Sequence, residues 1–389
     1  MTVVIVGAGI NGLCAALEMR RRGYDVTVVD PGPLPHPLAA STDISKAIRA
    51  AYGADEIYTE LAERAIPLWR EWNIQLGGDL YHESGCLFVK QGALAPGEYE
   101  FESIKLLAAR GHRIEQVDAA QMRLRFPAWN TDRDWHGLFA PDGGYAESSR
   151  VVAALAERAV GAGVRLREST RFVRLDENGK RVRGVVLATG DALAADHVIV
   201  AAGAWTPSLL PFTRIYFRAT GQPVFHLRPA QPALFAPERF PMFGADISTS
   251  GYYGFPLNRE GVVKIGKHGA GREMSPDSAE RVVTAEEENE MRGFVASTFP
   301  PLADAALVFT RLCMYCDTPD GDFWIAADPE RPGLTIAAGD NGHGFKFAPV
   351  LGELIADAAE EKPNRMLERF RWRPGVRAGA HKEAARARS

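Results

Sequence analysis

Cysteine is scarce in this chain, four in 389 residues. That is too few for a disulfide framework and predicts a reducing, cytoplasmic setting. Long apolar runs are missing. No stretch approaches the roughly 20 residues that a membrane-spanning helix requires, and the apolar start lacks the basic lead-in of a signal segment. An excess of one charge is missing too: 45 basic and 49 acidic side chains leave a net charge of -4. That balance gives neither nucleic acid nor an anionic membrane an electrostatic hold. Cys313 and Cys316 have no second cysteine pair to complete a zinc site, so no metal is expected. What is there is 46% hydrophobic residues, enough for a sizeable core in about two or three domains.

Thr2–Val6 is a β-branched run that predicts a buried parallel strand. Gly7-Ala8-Gly9-Ile10-Asn11-Gly12 follows, and residues 13–22 predict a helix stopped by Gly23. Residues 25–30 predict a second strand ending on Asp30. A lone GxGxxG is weak, but between strand and helix, with an acid closing the next strand, it is a dinucleotide fingerprint. Gly7 allows the tight turn, Gly9 lets backbone approach a pyrophosphate, and Gly12 lets helix and strand pack closely. The helix start at Ile10 and Asn11 offers free N–H groups and a positive dipole end. Asp30 can accept from a ribose 2′-OH, which argues against NADP. The motif does not separate FAD from NAD.

Further along, residues 45–51 and 55–72 predict helices, and 76–89 predict strands. Residues 151–163 predict an amphipathic helix leading into a strand. Residues 171–187 predict a hairpin turning at Glu177-Asn178-Gly179. Residues 197–202 predict a strand running into Gly203-Ala204-Trp205. From 215 to 308 proline and aromatic residues increase and βαβ alternation stops. This predicts an antiparallel β region with one helix at 285–298. Residues 334–338 then predict a strand, followed by a glycine-rich loop and a helix at 349–360. The fold class is α/β, α+β overall: a Rossmann-like domain from 1–85, 146–214 and 313–376, and a mainly antiparallel substrate domain from 86–145 and 215–312. The basic, alanine-rich tail 377–389 predicts a flexible end.

Two later motifs are more specific than the glycine loop. The first is Leu312-Cys313-Met314-Tyr315-Cys316-Asp317. The second is Gly339-Asp340-Asn341-Gly342-His343-Gly344-Phe345-Lys346-Phe347. Together they closely resemble the monomeric sarcosine oxidase family of the D-amino-acid-oxidase-like superfamily. That family includes N-methyltryptophan, pipecolate and fructosyl-amino-acid oxidases, and the resemblance spans nearly the whole chain. It implies FAD, joined covalently through Cys313, where a thiolate is a sufficient nucleophile. A buried core cysteine and a Cys313/Cys316 pair are the alternatives. It implies further cofactor contacts at Lys46, Val173, Ala202, Gly203, Trp205 and Gly342 through Lys346. Arg49 and Lys346 match a pair that binds the substrate carboxylate, and Lys264 a lysine that activates oxygen. On a strand, Lys264 and His268 share a face and Lys267 points away. Tyr253 and Tyr315 match aromatic pocket residues.

The chain departs from the bacterial sarcosine oxidases at Lys46, where they carry arginine, and at Thr42, where they carry histidine. Residues 42–46 look more like the pipecolate and fructosyl-amino-acid branches. Yet His268 stands where the fructosyl-lysine oxidases carry an acid. The reading is an oxidase of the C–N bond of a secondary amino acid, making hydrogen peroxide. The rivals are a flavin dehydrogenase with another acceptor, a specialised biosynthetic amine oxidase, an NAD enzyme, and a non-catalytic nucleotide binder. The expected partners are a small amine and oxygen, with the chain a monomer or small homo-oligomer.

Overall fold

The computed structural model describes residues 1–376 and 383–387. Thr2–Val6 forms strand β1, whose β-branched side chains suit burial on both faces. Helix α1, Ile10–Arg21, carries the chain to strand β2, Asp25–Val29, which pairs parallel to β1. The other neighbour of β1 is His197–Val200, which in turn pairs with Leu334–Ala338. Arg165–Arg167 and the antiparallel Trp324–Ala327 complete the six-stranded sheet at its two edges. Strands from both ends of the chain thus meet in one sheet, with α1, Ser148–Gly161 and Ala348–Ala359 packed together beside it.

The second large sheet has nine strands and is mainly antiparallel. Its longest pairing joins Arg218–Arg228 to Ala306–Asp317. Side chains alternate along a strand, so Cys313 and Tyr315 face one way while Met314 and Cys316 face the other. The helix Ala285–Thr298 starts on a capping box between Thr284 and Glu287, at the predicted bounds.

Three local expectations are corrected. Residues 45–51 are not helical: Lys46–Ile48 is a strand antiparallel to Gly144–Ala146. That distant partner overrides a helical local pattern. The hairpin turns one residue later than predicted. Asn178 faces Arg181 across a loop of Gly179 and Lys180, with Gly179 at a φ of 63°. The tail is not loose throughout. Residues 377–382 and 388–389 lie outside the described residues, but Glu383 is 7% exposed and Ala385 0%. Small alanines let this segment fit against the body, and Glu383 finds cationic and imidazole partners there. Among the described residues no helix is long and apolar enough to cross a membrane.

Candidate active site

The glycine loop is shaped by close approach. A Cβ on Gly7, at a φ of 102°, would stand 2.5 Å from the Ala201 carbonyl oxygen, and one on Gly12 would stand 1.9 Å from the Gly7 oxygen. At Gly9 the nearest atom is Ser41 Oγ at 3.2 Å, so the loop backbone is least encumbered there. Asp30 supports the loop from below: its carboxylate accepts from the Ala8 amide at 2.9 Å and the Gly32 amide at 3.1 Å. Each oxygen keeps a lone pair for a further donor.

Residues 41–46 run from this loop to Cys313. Ser41 Oγ accepts from the Ile10 amide at 3.0 Å, and Lys46 Nζ lies 3.8 Å from Cys313 Sγ. Asn11 Oδ1, Thr42 Oγ1 and Ser45 Oγ are buried without partners. Such atoms are costly unless a polar ligand meets them, so glycine loop and segment together fit a dinucleotide.

Beyond Cys313 lie the other candidate side chains. Lys264 is 1% exposed, ion-paired with Asp43 at 2.7 Å and bonded to the Ser45 carbonyl. Burial pulls its ammonium down to about 8, although Asp43 opposes the shift. Burial alone would raise Asp43; Lys264 and His226 outweigh it and hold the carboxyl well below its usual range. Arg49 is 5% exposed, its guanidinium 4.1 Å above the Tyr52 ring. It donates to the Ala51 carbonyl and to Glu383. Lys346 donates to the His343 carbonyl at 2.7 Å, and burial together with the Arg49 charge pushes it well below its usual value. Lys46, Arg49, Tyr253, His268, Tyr315, His343 and Lys346 line one pocket. A larger cleft of about 750 Å³ lies outside, between α1 and the helices beside it, away from these groups.

A profile described as FAD dependent oxidoreductase (DAO) matches residues 2–358. The chain belongs to this family of FAD-dependent oxidoreductases. It is 30% identical to monomeric sarcosine oxidase of a Bacillus species over 366 residues, covering 92% of this chain and 91% of that protein. Over 374 residues it is 30% identical to N-methyl-L-tryptophan oxidase of Escherichia coli, covering 92% and 95%. The crystal structure of fructosamine oxidase (Amadoriase II) from Aspergillus fumigatus with FSA superposes with a TM-score of 0.83 at 28% identity, covering 96% of this chain and 90% of that one.

In this FAD-dependent oxidoreductase Arg49, Tyr253, His268, Tyr315 and Lys346 line that one pocket, Lys264 stands on Asp43 and 4.7 Å from the ring of the pocket residue Phe255, and Lys267 points away to pair with Glu290. Val173 is 50% exposed on the hairpin strand Phe172–Asn178. Trp205 bonds Asp277 at 2.8 Å beside His36. Cys316 points into a different core cluster from Cys313, so the two are no redox pair. Asp43, His226, Tyr52 and Glu383 were not read from the sequence as site residues. Asp43 sits inside the noted 42–46 stretch, but nothing local distinguishes it; Glu383 lies well beyond the last long helix, Ala348–Ala359, in what reads as tail.

Proposed function

We propose that this chain oxidises the C–N bond of an α-amino acid whose nitrogen is secondary, N-substituted or cyclic, with oxygen as acceptor. The amine loses two electrons and two hydrogens, oxygen gains them as hydrogen peroxide, and water hydrolyses the imine to a free amine and a carbonyl compound. When bound, FAD supplies the electron transfer. Arg49 carries this reading: a guanidinium buried in the pocket holds a carboxylate, that of Glu383 in this structure, and a substrate carboxylate fits the same donor. Lys346 adds a second donor beside it. Burial and these cations favour the neutral amine, the form that can be oxidised. Lys264 offers a fixed positive charge to oxygen as negative charge develops on it.

The sarcosine, N-methyltryptophan and fructosamine oxidases named above support an N-substituted substrate. Cys313, buried on the same side of its strand as the pocket residue Tyr315 and with Lys46 Nζ 3.8 Å from its sulfur, supports covalent attachment at that position. FAD is assigned to 1–85, 146–214 and 313–376, and substrate recognition to 86–145 and 215–312, in a cytoplasmic monomer or small homo-oligomer. A second reading is a dehydrogenase with another acceptor; it is favoured by the Asp43 carboxylate, which offsets part of the Lys264 charge.

An anaerobic screen tests the proposal. Sarcosine, N-methyltryptophan, L- and D-proline, L- and D-pipecolate and fructosyl-glycine are added in turn to the yellow protein. Bleaching of the flavin band by one of these classes is expected, lost or shifted to much higher concentration in Arg49→Ala. Bleaching at unchanged concentration in Arg49→Ala defeats the Arg49 assignment, and oxygen uptake separates oxidase from dehydrogenase.

A further inference from the structure

The segment Glu383–Ala387 is bound to the pocket by its own chain. Glu383 is 7% exposed; one carboxylate oxygen pairs with Arg49 and the other lies 2.8 Å from His268 Nε2 and 3.9 Å from His343 Nε2. Burial alone would raise this carboxyl, but His343, Arg49 and His268 outweigh it and keep it ionised. The backbone is held as well: the Ala387 amide donates to the His268 carbonyl at 3.0 Å, and Arg386 Nε to the Gly269 carbonyl at 2.9 Å. Arg386 also grips Asp317 through paired contacts at 2.8 and 2.6 Å. About 60 Å³ of free cavity remains beside these residues, against roughly 300 Å³ or more in ordinary ligand pockets.

We propose that the Glu383 side chain occupies the substrate-carboxylate subsite, so that residues 383–387 are an intramolecular competitor that substrate must displace. The inference rests on Arg49 being the carboxylate anchor. The exchange is electrostatically even, because an incoming carboxylate replaces an outgoing one on the same guanidinium. A buried ion pair also returns little net stability, since both ions give up their hydration; docked and released states can therefore lie close in free energy. The occupant defines the ligand class. Beyond its Cα the Glu383 side chain is a propionate, so the subsite takes a carboxylate on a short aliphatic stem.

The test uses propionate as probe, with binding to the FAD-loaded protein measured by calorimetry. Three proteins are compared: the full chain, Glu383→Gln, and a chain ending at Val376. Propionate should bind the two altered proteins about tenfold or more tighter than the full chain, the factor by which the docked segment outnumbers the released one. Adding Arg49→Ala to either should abolish binding. Limited carboxypeptidase digestion gives a second readout: propionate should speed loss of residues 383–387 from the full chain. Equal affinity in the full chain and both altered proteins, with binding still dependent on Arg49, overturns the competitor and leaves the anchor standing. Binding indifferent to Arg49 overturns the anchor itself. Weaker binding in Glu383→Gln makes Glu383 part of the substrate site and also overturns the proposal.

Discussion

At the scale of single residues, Lys264 and Cys313 make the sharpest claims. Lys264 is charged below about 8 and loses its proton above it, because burial disfavours the ammonium. A cation that helps oxygen should therefore work at low pH and fade as pH rises through about 8. The rate of oxygen reaction after anaerobic reduction, followed by stopped flow, should fall across that window. Lys264→Met should be slow, by about a hundredfold, and flat with pH. A falling profile retained in Lys264→Met assigns the titration to another group and removes Lys264 from the oxygen step. In the same window the unfolded chain holds more protons than the folded one, so the Lys264 contribution to stability rises with pH. For Cys313, acid-precipitated protein should retain its yellow colour in the pellet and release it in Cys313→Ala. Colour that stays with the Cys313→Ala pellet places the attachment elsewhere.

At the scale of elements, the loop between Leu334–Ala338 and Ala348–Ala359 is built against the Tyr315 ring. Gly342 has a φ of 76°, and a Cβ there would lie 2.1 Å from Tyr315 ring carbons. The Tyr315 ring in turn lies 5.7 Å from that of His268, tilted by 55°. Gly342→Ala combines a backbone strain with a ring clash, so it should cost about 2 kcal/mol or more, read as a lower urea midpoint. The displaced ring should also raise KM for the amine. Wild-type stability and kinetics in Gly342→Ala would mean that the loop yields without moving Tyr315. Ala306–Asp317 shows the other use of an element: strand alternation alone sends Cys313 to the pocket side and Cys316 into a separate core.

At the scale of the molecule, the site exists because two sheets share it. The parallel sheet brings the glycine loop and residues 339–347, and the antiparallel sheet brings Lys264, His268, Cys313 and Tyr315. The chain's last described segment then reaches the seam and places Glu383 on Arg49. Much of this was legible in the sequence. β1, α1 and β2 follow from β-branched runs, glycine spacing and one closing acid, all local signals. The same holds for the capped helix Ala285–Thr298, and for the family itself through the Cys313 and Gly342 motifs. Other features depended on partners far away in the chain. Lys46–Ile48 is a strand only because Gly144–Ala146 lies beside it. Asp43 matters only because Lys264, more than two hundred residues on, points its ammonium at it. Glu383 reads as one acid in a basic tail until the fold sets Arg49, His268 and His343 around it. The sequence by itself determined the cofactor class, the sheet that carries it and the residue types available for chemistry, because those signals repeat over a few neighbouring positions. Only the tertiary structure decided which charges are paired and which carboxylate Arg49 holds, because pairing energies depend on burial and distance between segments that sequence does not bring together.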